Sequence, residues 1–138
     1  MTGSDLQFRS LAGAMPARVA TATEAQWSAA AQTFAAAGGR LVALWGSDSY
    51  DADAVGEGFV VHAAYALHDG LACVRLAMAN ESNEPPEYPA LSTLYPAAVR
   101  MQRALFDLVG VRARNADDQR PWLRHAAWPA DFFPLRRD

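Results

Sequence analysis

The chain has 138 residues, 51% of them apolar and 20% charged. These proportions fit one ordinary folded domain, exclude disorder and leave little room for a second unit. At this length folding buries roughly two-thirds of the surface of the unfolded chain, so no disulfide or metal staple is required. The net charge of −3 argues against nucleic-acid binding. It is unevenly spread: residues 1–99 hold four Arg against ten acids, and residues 100–138 eight Arg against five. The C-terminal stretch is therefore expected to meet something acidic or to fold back on the acidic half.

Cys73 is the one cysteine, which excludes an internal disulfide, a Cys-based zinc knuckle and an iron–sulfur cluster held by this chain alone. All twelve basic residues are Arg. Without Lys, Schiff-base chemistry and a Walker-type phosphate loop are both out. No uncharged apolar run reaches the roughly 18–20 residues of a membrane span. Met1-Thr2-Gly3-Ser4-Asp5 lacks the basic-then-apolar layout of a secretion signal. The expected location is cytoplasmic.

Residues 1–16 read as an irregular lead-in, and 18–22 alternates weakly as a short strand. Thr23 with Gln26 forms a capping box, and Glu24 suits the positive end of a helix dipole. Trp27, Ala30 or Ala31, Phe34 and Ala37 recur at helical spacing until Gly38-Gly39 stops the run, which predicts a helix over 24–37. The continuous apolar run 40–46 reads as a buried strand, and Ser47 to Gly58, acidic and small, as an exposed loop.

Segments 59–68 and 71–79 flank Asp69-Gly70, a two-residue hairpin signal. That turn would pair His68 with Leu71, Tyr65 with Val74 and Ala63 with Leu76. Val61, Ala63, Tyr65 and Leu67 then share a face with Ala72, Val74, Leu76 and Met78, so both strands put their bulky apolar residues on one side. Asn80 to Pro89 reads as an acidic, proline-rich loop. Pro96 suits the first turn of a second helix with an apolar face of Ala97, Met101, Ala104, Leu105 and Leu108, ended by Gly110. Arg103 and Asp107 lie four apart on its other side. Beyond Gly110 the periodicity dissolves. The extended tail 111–138 carries several Arg and the apolar anchors Trp122, Trp128 and Phe132-Phe133. It cannot form its own core and must lie along this domain or along a partner, and the favoured expectation is burial on a neighbouring polypeptide.

Candidate chemistry is thin. In the predicted register Cys73 faces Ala66, His68 is only a diagonal neighbour, His62 is roughly 13 Å away, and His125 lies in the tail. Two ligands at most do not make a zinc site. Cys73 with His68 could in principle be nucleophile and base. Asp48, Asp51, Asp53 and Glu57 alternate, yet lack the glycine and closing Glu of a calcium loop. Gly56 and Gly58 precede no helix and so form no phosphate loop. The Arg residues interleaved with Trp and Phe in the tail read best as a protein-contact strip.

Leu94-Tyr95-Pro96-Ala97-Ala98, then Arg103 and Phe106-Asp107-Leu108-Val109-Gly110-Val111, resemble a stretch of the C subunit of respiratory complex I, the NADH:quinone oxidoreductase. So do Asp118-Gln119-Arg120-Pro121-Trp122-Leu123-Arg124-His125, Trp128-Pro129 and the closing Pro134-Leu135-Arg136-Arg137-Asp138. The same domain precedes the nickel–iron large-subunit domain in membrane-bound hydrogenases of the formate hydrogenlyase type, and the Arg120 to His125 and Trp128-Pro129 pieces are closer to that branch. The resemblance covers nearly the whole chain: the helix at 24–37, the run at 41–45 followed by Asp48, the hairpin and the proline-preceded helix come in the family's order. Gln102-Arg103-Ala104 replaces the family's Glu-Arg-Glu, its Gly-His-Pro is missing near Asn115-Ala116-Asp117, and Phe133 replaces the His before Pro134. The chain stops where members run on, as a fragment of a longer large subunit would.

The expected fold is α+β: a mostly antiparallel sheet, about four strands, with two helices on one face and the extended tail, all as one domain over 1–138. The resemblance implies a structural docking module that has no catalytic, metal or cofactor-binding residues and packs on the large catalytic subunit and other peripheral-arm subunits. Iron–sulfur clusters, and nickel–iron in the hydrogenase branch, would sit in those neighbours. The complex would lie at the inner face of the cell membrane, with no span in this chain. The contact residues expected are Arg103, Asp107, Arg120, Trp122, Arg124, Trp128, Leu135, Arg136 and Arg137. The alternatives are a stand-alone small-molecule-binding α+β domain with a pocket between sheet and helices, and a small enzyme using Cys73.

Overall fold

The computed structural model describes residues 6–49, 58–79, 84–124 and 128–136. The elements are β1 (Arg9–Ser10), β2 (Ala17–Ala22), α1 (Glu24–Ala36), β3 (Arg40–Ser49), β4 (Gly58–Leu67), β5 (Gly70–Ala79), β6 (Glu87–Pro89), α2 (Ala98–Val109) and β7 (Arg112–Arg114). Five strands form a sheet in the order β1-β2-β5-β4-β3, and β6 and β7 form a separate parallel pair. All neighbours in the large sheet are antiparallel except β2 and β5. The expected α+β class with a mostly antiparallel sheet is what the chain adopts.

The capping box at α1 is complete: the Gln26 amide donates to the Thr23 hydroxyl (3.2 Å) and the Thr23 amide to the Gln26 side-chain oxygen (2.9 Å). Trp27, Ala30 and Ala31 form its buried stripe. Trp27 also donates its indole N–H to the Pro89 carbonyl (3.1 Å), which satisfies the polar end of a fully buried ring. The stripe of α2 is rotated from the predicted one. Ala98, Gln102, Leu105 and Val109 are buried, while Ala97 is exposed and lies outside the helix. Gln102 is drawn inward because its side-chain oxygen accepts the amide of the buried Leu91 (2.8 Å). Both helices lie on the face carrying Val61, Ala63, Tyr65 and Val74. Phe34 of α1 packs on Tyr65 at 5.0 Å, and Leu105 and Val109 of α2 lie over Gly46 of β3. The space between sheet and helices is filled by Trp27, Tyr65, Tyr88, Leu91 and Tyr95.

The hairpin keeps its predicted faces but not its register. Ala63 pairs with Val74, Tyr65 with Ala72 and Leu67 with Gly70. His68 and Asp69 make the turn, and neither has positive φ; Gly70, at +130°, takes the left-handed region instead. A Cβ on Gly70 would collide with the Pro16 carbonyl oxygen, which accepts the Leu71 amide at 2.9 Å. Docking of the lead-in against β5 thus places the glycine inside the strand. A slip of two residues leaves every side chain on its own face, which is why alternation could not detect it.

Two further readings are corrected. Ser47, Asp48 and Ser49 continue β3 opposite Val60, Phe59 and Gly58, and are not loop. An edge strand tolerates such polar residues, and the Ser47 hydroxyl shares a hydrogen bond with His62 Nε2 (3.1 Å). Asp51, Asp53, Gly56, Glu57, His125 and Arg137 lie outside the described residues. The tail does not become irregular at Gly110, since β7 pairs with β6 out of the proline-rich loop, Tyr88 against Ala113.

Candidate docking surface

Helix α2 offers an unusual number of polar groups to the chain that follows it. Arg103 donates from Nε to the Arg120 carbonyl (2.7 Å) and from a terminal nitrogen to the Pro121 carbonyl (2.9 Å), and it approaches the Asp118 carboxylate at 3.4 Å. One turn on, Asp107, only 1% exposed, accepts the amides of Trp122 (2.8 Å), Leu123 (2.6 Å) and Arg124 (3.2 Å) on one oxygen. Three convergent amides form a small anion nest. Arg124 Nε stands 3.8 Å from the other oxygen of Asp107.

The end of the tail is tied to the end of the helix. The Leu135 amide donates to the Leu108 carbonyl (2.9 Å), and Arg136 donates from Nε to the Val109 carbonyl (2.6 Å), with Gly110 at 3.4 Å. These are the carbonyls a helix C-terminus leaves without partners, and a cation suits the negative end of the dipole. The Arg136 guanidinium lies over Phe133 (4.3 Å) and Phe59 (4.9 Å). Burial holds its pKa below the ordinary value, with the Asp48 charge opposing. Arg124 ties the middle, donating to the Pro129 (2.8 Å) and Phe132 (3.3 Å) carbonyls beneath Trp128 and Phe133.

Of the two courses expected for the tail, along this domain or along a partner, its backbone takes the first, held by its own helix. The side chains that α2 leaves outward include four large apolar ones among exposed polar residues such as Asp117, Arg120 and Asp131. Trp122, Leu123, Phe132 and Leu135 are between 43% and 53% exposed. Trp122 has the Arg100 and Arg103 guanidiniums at 5.1 and 5.0 Å from its ring centroid.

The residues expected to make contacts thus divide. Trp122, Leu135 and Arg120 reach solvent; Arg103, Asp107, Arg124 and Arg136 lie beneath and hold the tail; Trp128 is half-buried, its indole N–H on the Phe132 carbonyl (2.8 Å). Arg120 lies against Asp118, whose carboxyl is held well below the usual carboxylate range chiefly by that hydrogen bond. Sequence reasoning passed over Arg100, Leu123 and Arg112, and named Phe132 as an anchor of the tail without counting it among the contact residues. The available signal was Arg100 and Arg103 at i and i+3, which shows only when Trp122 is folded back over them.

The readings that centred on Cys73 lose their geometry. Cys73 faces Ala64, so His62 becomes its diagonal neighbour and the exposed His68 moves into the turn. His62 is stacked on Trp45, ring centroids 4.9 Å apart. Burial raises the Cys73 thiol pKa, partly opposed by Arg75. Among the described residues no three His, Cys, Asp or Glu are placed to hold a metal ion.

The family profile described as "Respiratory-chain NADH dehydrogenase, 30 Kd subunit" matches residues 20–138. The chain belongs to that family. Within the 30 kDa family's range it is similar to formate hydrogenlyase subunit 5 of Escherichia coli (strain K12), 28% identical over 73% of this chain and 17% of that one. It is also similar to the C subunit of the NADH-quinone oxidoreductase of Moorella thermoacetica, 38% identical over 50% of this chain and 45% of that one. Hydrogenase-4 component G of Escherichia coli (strain K12) is 29% identical over 58% of this chain and 14% of its own length. The chain thus spans less than half the length of these curated relatives. A solved trypsin-resistant fragment of Nqo5 superposes with a TM-score of 0.66 at 16% identity, covering 80% of this chain and 89% of that one, which shows a shared fold. No described helix is long and apolar enough to cross a membrane.

Proposed function

We propose that residues 1–138 act as one non-catalytic docking domain of a complex I-like NADH:quinone oxidoreductase or membrane-bound hydrogenase, with 111–138 as its contact segment. It packs on the large catalytic subunit or domain, at the cytoplasmic side of the membrane. The iron–sulfur and, in a hydrogenase, nickel–iron centres belong to those neighbours. Family membership and relatives in both branches support the setting. The observation that carries the docking role is the exposure of four large apolar side chains, Trp122, Leu123, Phe132 and Leu135, on a segment already fixed by Arg103, Asp107 and Arg136. Large apolar side chains presented on a rigid, Arg-rich backing are what interface hot spots are made of.

The test is affinity purification of the chain together with the large catalytic subunit from the source cells, that subunit being identified by mass spectrometry. Wild type brings it down. Trp122→Ala with Phe132→Ala and Leu135→Ala loses it while melting at the wild-type temperature. Undiminished association of that folded triple variant overturns the reading.

A further inference from the structure

The cations of this surface are not all accounted for within the chain. Arg103 and Arg120 share Asp118, Arg124 faces Asp107, and Arg136 caps α2. Arg100 and Arg112 are different. Arg100 lies 5.1 Å from the Trp122 ring centroid and Arg112 5.1 Å from that of Phe106, and among the described residues neither is paired with a carboxylate. Stacking on a ring orients a guanidinium but leaves its in-plane N–H donors for another acceptor, and that planar fork matches a carboxylate in two-point fashion.

We infer that the surface this strip meets on its partner is acidic: an apolar depression that takes Trp122, rimmed by carboxylates that pair with Arg100 and Arg112. The inference rests on the docking reading above and adds the chemistry of the partner. Three observations converge on it. Trp122 is half exposed but already oriented by two guanidiniums, so it enters a pocket with little ordering left to do. The two cations lacking a carboxylate belong to the same helix-and-tail face, Arg112 lining a cleft with Arg103, Phe106 and Asp118. Finally, residues 100–138 carry a formal +3 while residues 1–99 carry −6. An acidic surface is therefore attracted by this half and repelled by the other, which selects the docking orientation.

The experiment measures association of the chain with the large catalytic subunit as salt rises from about 0.05 to about 0.5 M, a range across which screening of exposed charges becomes nearly complete. Wild-type affinity should fall by at least about tenfold. Arg100→Gln with Arg112→Gln should weaken binding by about tenfold at low salt and flatten the salt dependence, and Arg100→Glu should weaken it further. Arg9→Glu, the same change of two charge units placed on β1, should bind as wild type. If wild type binds independently of salt and the double variant binds equally well, while Trp122→Ala does not, the partner is neutral: this inference falls and the docking reading stands. If no association is seen with any variant, both fall. Binding to phosphatidylglycerol vesicles in place of the subunit, lost in the double variant, overturns the inference in favour of a membrane.

Discussion

Arg103 and Asp107 stand one turn apart on α2 with opposite charges, yet they bond not to each other but to successive residues of the tail. Arg103 donates to the carbonyls of 120 and 121, and Asp107 accepts the amides of 122, 123 and 124. A side-chain pair at this spacing would be worth only about 0.2–0.5 kcal/mol on a helix surface. Gripping a backbone that would otherwise fray gives the same two residues a larger role.

Removing the Asp107 carboxylate leaves three part-buried amides and a half-buried Arg124 without their acceptor. Asp107→Ala should therefore cost about 2–4 kcal/mol in urea unfolding and open the bond after Arg124 to trypsin. Because Arg103 holds the same segment, the double variant with Arg103→Ala should cost less than the two single losses together, with a coupling of about 0.5–3 kcal/mol. Additive losses would mean that the two grips are independent.

Gly110 closes α2 in the left-handed conformation (φ +80°), and a Cβ there would collide with the Arg136 guanidinium and approach Phe133 at 3.1 Å. Gly110→Ala should lower stability by about 1–3 kcal/mol, part backbone strain and part displacement of Arg136. In an Arg136→Ala background the collision is gone, so the same substitution should cost measurably less in thermal melts. Equal costs in both backgrounds would assign the whole effect to the backbone.

The elements legible in the sequence were those with local signals: the capping box of α1, the double glycine after it, the alternating faces of β4 and β5. What was hidden depended on contacts far along the chain. The hairpin register turns on Pro16 meeting Leu71, β6 and β7 find each other across 22 residues of loop and helix, and Gln102 is buried by the Leu91 amide. The tail was half legible. Its composition singled out Trp122, Phe132 and the Arg residues, but Arg103, Asp107 and Arg136 prove to be supports beneath it, while Arg100 and Leu123 join Trp122 and Phe132 on its outer face. Residue type announces which segment is amphipathic; only the path of the tail over α2 decides which side chains remain outside.

Partial burial on the face of β5 turned away from the helices raises the Cys73 thiol above its ordinary pKa of 9.0. A thiolate is the reactive form, so alkylation by iodoacetamide at neutral pH should be slower than for a small free thiol and should rise only above that ordinary value. Cys73→Ser should leave association with the large subunit unchanged. Rapid labelling at pH 7 would instead indicate an activated cysteine and revive an enzymatic role.

Arg114 of β7 reaches both oxygens of Glu24 (3.0 Å each) and Glu87 at 3.4 Å, and so ties the start of α1 to the β6–β7 pair. The hydrogen bonds from Arg114 hold the Glu24 carboxyl below its ordinary value of 4.5. The folded chain then keeps Glu24 ionised at a pH where the unfolded chain has begun to take up a proton. The stabilisation is complete above pH 4.5 and is lost as the pH falls from there through the lower folded value. Glu24 is half exposed, so the contribution stays under about 1 kcal/mol. Thermal melts from pH 7 down to about 3 should show a shallower acid decline for Glu24→Gln than for wild type, the two curves converging at the acid end. Parallel curves would mean that this ion pair does not couple protonation to folding, and that the attachment of α1 to the β6–β7 pair rests on Trp27 and its bond to Pro89.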